Sequence, residues 1–227
     1  MASADPADVL SKLIAQQRKA AGADALVSHP TDTPEGTPPA CEQLVFSMLL
    51  WDATTSQALT GLRRLREAFA DLNELRVAYG SEVVSVIGEK YPRALERAER
   101  LSQSLNAVYA ATNDLSMEAI ANMPKRDARA CLEAMPGIPA YVAARWSLLV
   151  LGAHAVPLDE RLFDLLRSKG AIPEGSDLAS AGAWLERTVR ASDALETHLT
   201  LQNAADTLGK SASRRPAHRT KKTARGA

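Results

Sequence analysis

Apolar residues return every three to four positions along most of the chain, and this spacing predicts α-helices rather than strands. No two segments show the strict alternation of a strand pair, so the predicted fold class is all-α. The predicted helices cover residues 6–21, 42–69 with a polar break at 51–56, 71–79, 81–88, 92–110, 116–122, 126–134, 140–151, a stretch opening at 157–159, 178–191 and 193–208.

Local signals mark several of these boundaries. Asp5 precedes the first helix as a cap, because its side chain can accept a hydrogen bond from a first-turn N–H. Residues 28–40 hold four prolines and a glycine, which predicts a loop. After the polar break, the spacing of Leu59, Leu62 and Leu65 predicts that these side chains face the core.

Composition adds that the helices pack through aliphatic side chains. Hydrophobic residues make up 46% of the 227 positions but aromatic residues only 4%. The two cysteines, Cys41 and Cys131, are too few for a disulfide framework or a cysteine-built zinc or iron–sulfur site, so reduced thiols and no cofactor are expected. Neither a secretory signal nor a membrane-spanning apolar run is present, so we expect a cytoplasmic, nucleoid-associated protein.

The net charge of zero hides a division along the chain. Residues 210–227 hold seven Lys and Arg and no acid, which leaves 20 basic and 27 acidic residues before them. A basic tail on an acidic body favours a flexible arm that meets a polyanion, although a solvated tail without a partner is the alternative. We therefore expect an N-terminal helix and loop (1–40) packed on a main helical domain (41–209), followed by a disordered tail.

A glycine-bearing turn between two predicted helices carries the most specific signal. Residues 135–139 have the sequence Met-Pro-Gly-Ile-Pro, in which Gly137 allows a backbone conformation that other residues avoid. Such a hairpin exposes N–H groups beside the positive end of a helix, which suits a DNA phosphate. With Leu132 before it and Ala143 after it, the turn resembles the helix-hairpin-helix motif of DNA glycosylases of the endonuclease III branch.

The spacing after the hairpin extends this resemblance. Members of the family that also cleave the strand place a lysine two residues after the second motif glycine and an aspartate eighteen residues further on. The corresponding positions here are Tyr141 and Asp159. Gly152 falls where the family has a helix-ending glycine, and residues 156–163 are similar to its Val-Asp-Thr-His-Ile-Phe segment.

Upstream segments resemble the same family in the same order. Residues 42–50 are similar to its first core helix, and Ile87-Gly88 with Arg93-Ala94 is similar to its Ile-Gly…Lys-Ala element. The resemblance covers about residues 40–208. It implies an endonuclease III-like helical domain with a cleft between two helical lobes.

The family's chemistry implies roles for two residues. Glycosylases extrude a base and break its bond to the sugar, and a carboxylate stabilises the positive charge that develops there. The resemblance gives this role to Asp159, although an aspartate before a helix is also an ordinary N-cap. Tyr141 cannot form the Schiff base of the family lysine, so the implied enzyme is monofunctional and uses water. A tyrosine packed at the cleft wall is the alternative for this position.

Several departures from the family pattern bear on DNA binding. Proline at position 139 replaces the second motif glycine and offers no N–H, although it also suits a helix start. The family's four-cysteine cluster loop is absent. Trp51 is a candidate DNA wedge or, alternatively, a core residue, and Asp52 beside it is unfavourable near DNA. The DNA-binding candidates are Pro136, Gly137, Ile138, Pro139, Ala140, Trp51, Thr54 and Thr55.

Three functions remain compatible with the sequence. The first is a monofunctional DNA glycosylase that removes a damaged or mismatched base. The second is a non-catalytic DNA-binding module on the same fold, and the third is a helical protein-interaction domain. The expected partner is double-stranded DNA, held by the hairpin, the cleft and the basic tail. The sequence identifies neither the base nor the oligomeric state, and a monomer is the simplest expectation.

Overall fold

The described part of the chain is helical throughout. The computed structural model describes residues 5–21 and 37–213, in which there are twelve α-helices, one short 3₁₀-helix and no strand, so the predicted all-α class is confirmed. The α-helices are α1 Pro6–Ala21, α2 Pro39–Leu50, α3 Thr55–Ala68, α4 Leu72–Val77, α5 Gly80–Ile87, α6 Ala94–Thr112, α7 Glu118–Ala121, α8 Lys125–Ala134, α9 Ala140–Val150, α10 Glu160–Ser168, α11 Leu178–Thr188 and α12 Ala194–Ser213, and the 3₁₀-helix is Ala191–Asp193.

The helices form two groups that meet along α12. Helices α2 to α9 pack against one another, while α1, α10 and α11 gather with α12 from the two ends of the chain. Leu10 and Leu13 of α1 are buried in the common core, and α12 also contacts α3 and α9. The two groups therefore share one hydrophobic core, with α12 at their boundary.

Helix α2 forms the centre of this core. All of its side chains from Cys41 to Leu50 are buried, because neighbours cover it on every side. Polar atoms at its ends are satisfied by other helices. The Trp146 indole N–H donates to the Ala40 carbonyl at 2.8 Å, and the buried Arg97 guanidinium donates to the carbonyls of Met48 and Trp51.

Most helix boundaries lie close to the predicted ones. The differences are at two helix ends and in the burial of one leucine. Helix α2 begins at Pro39, so the end of the predicted 28–40 loop is helical, and most of that loop lies outside the described residues. Leu59 is exposed rather than in the core, because the buried face of α3 is formed by Ala58, Gly61, Leu62 and Leu65. Helix α12 continues to Ser213, past the predicted end of the folded part at 209, and residues 214–227 lie outside the described residues.

Within residues 5–21 and 37–213, no helix combines the length and the apolar character that a membrane span requires. Among the same residues, no group of three or more histidine, cysteine, aspartate or glutamate side chains is arranged to hold a metal ion.

Candidate functional site

The hairpin between α8 and α9 requires glycine for two reasons. Gly137 has φ +82°, a conformation that strains any residue with a side chain. A Cβ atom at this position would also lie 2.7 Å from the Arg100 carbonyl oxygen and 2.9 Å from the Ser104 nitrogen of α6. The turn is thus pressed against the α6 backbone, while Pro136 projects into solvent and Ile138 is buried beneath it.

Helix α9 begins directly after this turn without a side-chain cap. Pro139 is its N-cap residue and has an extended backbone, so this position serves as the helix-start proline that the sequence allowed. Ala140 is exposed at the first helical position. An uncapped N-terminus leaves first-turn N–H groups and the positive end of the helix dipole without a side-chain partner.

Asp159 caps α10 and also fastens it to the α2–α3 loop. Its Oδ1 accepts a hydrogen bond from the Leu162 N–H at 2.8 Å, and its Oδ2 accepts one from the Asp52 N–H at 2.9 Å. The side chain is buried, with only 1% of the residue exposed. The pKa of Asp159 is raised to about 6, mainly by burial and also by the nearby Asp52 charge, against the lowering effect of the Leu162 hydrogen bond.

Asp52, on the α2–α3 loop, accepts a reciprocal hydrogen bond from the start of α10. The residue has φ +54°, and its Oδ1 accepts a hydrogen bond from the Glu160 N–H at 2.9 Å. Its Oδ2 pairs with the Arg93 Nε at 2.7 Å, so the charge that looked unfavourable near DNA has a basic partner within the fold. Sequence reasoning did not find the Asp52–Asp159 contact, because the two residues are 107 positions apart and neither shows a local sign of the other.

The other candidates on the α2–α3 loop are used within the fold. Trp51 is 9% exposed, and the guanidinium carbons of Arg93 and Arg100 lie 4.8 Å and 5.4 Å from its ring centroid. The core alternative for Trp51 therefore describes the structure, and the exposed wedge does not. Thr54 caps α3 in a capping box with Gln57, and these bonds account for its side chain.

Helix α6 connects the hairpin to the carboxylate. The Arg93 side chain, just before α6, holds Asp52, and the Arg100 carbonyl oxygen on α6 faces Gly137. Seven residues separate these contacts, which corresponds to about 10 Å along a helix. One segment, from Arg93 to Arg100, therefore contacts both the loop that holds Asp159 and the hairpin.

A row of buried polar side chains runs beneath Asp159, where α9 faces α12. We call it the polar seam, and it consists of Tyr141, Arg145, His198, Gln202 and Asp206, all less than 10% exposed. The members on each helix are four residues apart, so they share one face of it. This spacing is visible in the sequence, but polar residues on an exposed helix face have the same spacing. The sequence alone therefore does not show that this row is buried.

Polar atoms in the seam are only partly satisfied. The Tyr141 ring lies 6.2 Å from the His198 ring, but within the described residues neither the tyrosine hydroxyl nor the two imidazole nitrogens make a hydrogen bond. Burial raises the pKa of Tyr141 and lowers that of His198, so both groups are neutral at pH 7. Unsatisfied buried polar groups are uncommon in folded proteins and concentrate where ligands or bound waters are held.

The remaining seam contacts tie the α12 carboxylate to neighbouring segments. Asp206 Oδ1 accepts hydrogen bonds from both terminal nitrogens of Arg161 at 2.8 Å and 3.0 Å. Its Oδ2 accepts one from the Thr55 N–H at 3.0 Å, so the remaining candidate on the α2–α3 loop also has an internal partner. On α2, the Ser47 hydroxyl accepts a hydrogen bond from Arg145 at 2.8 Å.

The architecture of the described residues is an endonuclease III-like all-α fold, which this chain shares with solved DNA glycosylases. The chain is similar to an endonuclease III trapped in a covalent intermediate with DNA, at 14% identity and a TM-score of 0.66, over 96% of this chain and 92% of the other. It is also similar to a thermostable thymine-DNA glycosylase, at 17% identity and a TM-score of 0.56, over 87% and 86%.

A third similar structure is the 3-methyladenine DNA glycosylase of H. pylori bound to 1,N6-ethenoadenine. It has 13% identity and a TM-score of 0.58, over 91% of this chain and 98% of the other. No protein-family model and no curated protein matches the sequence. The endonuclease III-like fold that the sequence resembles is therefore confirmed by the likeness to solved structures and not by any sequence match.

Proposed function

We propose that this protein is a monofunctional DNA glycosylase that removes a damaged or mismatched base. The observation that carries the proposal is the buried carboxylate of Asp159, one helix after a glycine hairpin and directly above the polar seam. A carboxylate with a pKa near 6 is ionised at neutral pH and is suited to stabilise positive charge.

In this proposal the hairpin positions the DNA and the seam receives the base. The uncapped start of α9 binds a backbone phosphate without reading sequence. The extruded base enters the boundary between α9 and α12, where Tyr141 and His198 have hydrogen-bonding capacity to spare. Because Asp159 is buried, the nucleotide must first part the α2–α3 loop from α10.

The bond changes follow from these positions. The bond between the base nitrogen and the sugar C1′ breaks, and the electron pair leaves with the base. Asp159 stabilises the cationic sugar and takes a proton from the attacking water, whose oxygen then joins C1′. Tyr141 has no amine to form a Schiff base, so the proposal includes no strand cleavage. It also includes no iron–sulfur cluster, because two cysteines cannot supply four thiolates.

The test is a panel of lesion and mismatch duplexes, treated first with protein and then with alkali to reveal abasic sites. We expect cleavage for at least one duplex and a loss of at least about 100-fold in Asp159→Asn. Asp177→Asn is the matched control, because Asp177 also caps a helix but is exposed on α11. If Asp159→Asn acts as fast as the parent on a processed duplex, the assignment is wrong.

A second candidate, a non-catalytic DNA-binding module, is favoured by one specific observation. Both oxygens of Asp159 already accept backbone hydrogen bonds, as a purely structural cap and fastening would require. This candidate predicts salt-sensitive binding to an abasic-site analogue duplex but no product from any duplex. Borohydride trapping separates both candidates from a lyase, because each predicts that no covalent complex forms.

A further inference from the structure

A basic groove lies between α3 and the turn that joins α5 to α6. It encloses about 270 Å³, and Arg64 and Lys90 contribute its charged side chains. Hydroxyl and amide groups from the start of α3 line the same space, namely those of Ser56, Gln57 and Thr60. No carboxylate is among the described residues that line the groove.

This absence of acid is unusual for the molecule. The first 209 residues carry seven more acidic than basic side chains, and several surface arginines are ion-paired, as Arg63 is with Glu67. Arg64, the next residue, donates instead to the Ile87 carbonyl at 3.1 Å. Two other surface grooves include carboxylates in their lining, such as Glu196 in one and Asp71 in the other.

The floor of the groove is open because glycines form it. Gly61 on α3 approaches the Tyr91 ring so closely that a Cβ would lie 3.2 Å from it. Gly88 has φ +105°, and a Cβ there would lie 3.5 Å from the Arg64 Nη1. A side chain at position 61 would press on the Tyr91 ring, and one at position 88 would be strained by the positive φ, so glycine suits both positions of the groove floor.

We propose that this groove binds a phosphodiester of the DNA strand. Two cations with neutral hydrogen-bond donors and no acid complement a phosphate, and DNA presents phosphates in a continuous row. The turn that contributes Lys90 leads directly to Arg93, which holds Asp52 beside Asp159. The groove therefore lies next to the segment that holds the candidate site, where it would bind the duplex at a point other than the hairpin.

The choice of DNA rather than a free anion rests on the proposed function, and the experiment separates the two. DNA binding is measured at several salt concentrations for the parent, Arg64→Ala, Lys90→Ala and Arg63→Ala. Each groove variant should weaken binding to damaged and undamaged duplexes equally and reduce the slope of log K against log salt by about 1. Arg63→Ala, which removes an ion-paired neighbour, should leave the slope unchanged.

Lys90→Ala is expected to fold normally, because Lys90 is exposed and makes no ion pair within the described residues. A loss of binding in this variant is therefore not caused by unfolding. If the parent binds DNA and both groove variants show the same salt slope as the parent, the groove does not bind DNA. The glycosylase proposal is unaffected by that result. A parent that does not bind DNA overturns both. A titration with inorganic phosphate, followed at the Gly61 and Gly88 amides by NMR, covers the free anion. If the chemical shifts of these amides saturate with phosphate while the groove variants leave the salt dependence of DNA binding unchanged, the groove binds a small anion. That result overturns DNA as its occupant.

Discussion

Asp159 and Asp177 perform the same local task in two different environments. Each is an N-cap residue with an extended backbone, and each accepts a hydrogen bond at 2.8 Å from the N–H three residues later. Asp177 is exposed at the start of α11, and its hydrogen bonds with Ser180 lower its pKa. Asp159 is buried above the polar seam, and burial raises its pKa to about 6.

The difference shows that a capping signal defines a helix start but not the chemistry of the capping group. The N–H donors are equivalent in the two helices, so they cannot account for opposite shifts in pKa. What differs is the additional hydrogen bond that the Ser180 hydroxyl donates to Asp177, and the burial of Asp159 beside the charge of Asp52.

The first prediction concerns the pH dependence of folding stability. The folded protein holds a proton on Asp159 up to pH about 6, whereas an unfolded aspartate releases it near pH 4. The stabilising contribution of protonated Asp159 is therefore complete below pH about 4 and lost as pH rises through 6, by at most about 3 kcal/mol. Urea unfolding of parent and Asp159→Asn between pH 4 and 7 measures it as a difference curve.

Asp177→Asn should not reproduce the slope of Asp159→Asn in the same experiment. The lowered pKa of Asp177 means that its contribution is present above the unfolded value and is lost as pH falls through the folded one. Its difference curve should thus be flat from pH 5 to 7. Two parallel curves would show that burial of Asp159 does not control its titration.

The second prediction concerns catalysis by the proposed glycosylase. Because only ionised Asp159 stabilises a cationic sugar, single-turnover rates should fall about tenfold per pH unit below about 6. Quenched reactions on the best duplex from the panel, between pH 5 and 8, measure this profile. The pH–rate profile of Asp177→Asn should be the same as that of the parent. If its midpoint moves in Asp177→Asn, Asp159 is not the group that controls the rate.

The third prediction compares a tyrosine of the seam with one outside it. The Tyr91 hydroxyl donates to the Leu49 carbonyl at 2.8 Å, so Tyr91→Phe should cost about 1 kcal/mol of unfolding free energy. Tyr141→Phe should be neutral or stabilising, because its buried hydroxyl has no partner among the described residues. Equal losses from thermal or urea unfolding would mean that the Tyr141 hydroxyl is bonded in solution.

The fourth and smallest effect is on the titration of Asp159 itself. Asp52→Asn keeps an oxygen for the Glu160 N–H but removes the neighbouring negative charge, so the pKa of Asp159 should move downward. Carboxyl NMR of the parent and the variant measures the midpoint. Asp164→Asn, on the exposed side of α10 where Asp164 pairs with Arg167, should leave it unchanged.

Most of the helical architecture follows from periodicity and turn chemistry. The pattern predicted the helix ends on both sides of the hairpin to within a residue, because apolar spacing and the glycine turn both act locally. It misplaced Leu59, since a stripe of leucines does not show which of its edges a neighbouring helix will cover. The candidate Trp51 turned inward because three arginines from the α6 region cover its ring.

The sequence by itself determined the helices, the glycine turn and an aspartate at a helix start eighteen residues beyond Tyr141, because short-range sterics and hydrogen bonds fix these features. Only the tertiary structure decided that Asp159 is dry, that Asp52 fastens it, and that α9 and α12 face each other with polar side chains. Burial and long-range pairing depend on segments that are distant in sequence, such as those of Asp52 and Asp159, and local sequence carries no record of which distant segment will be the neighbour.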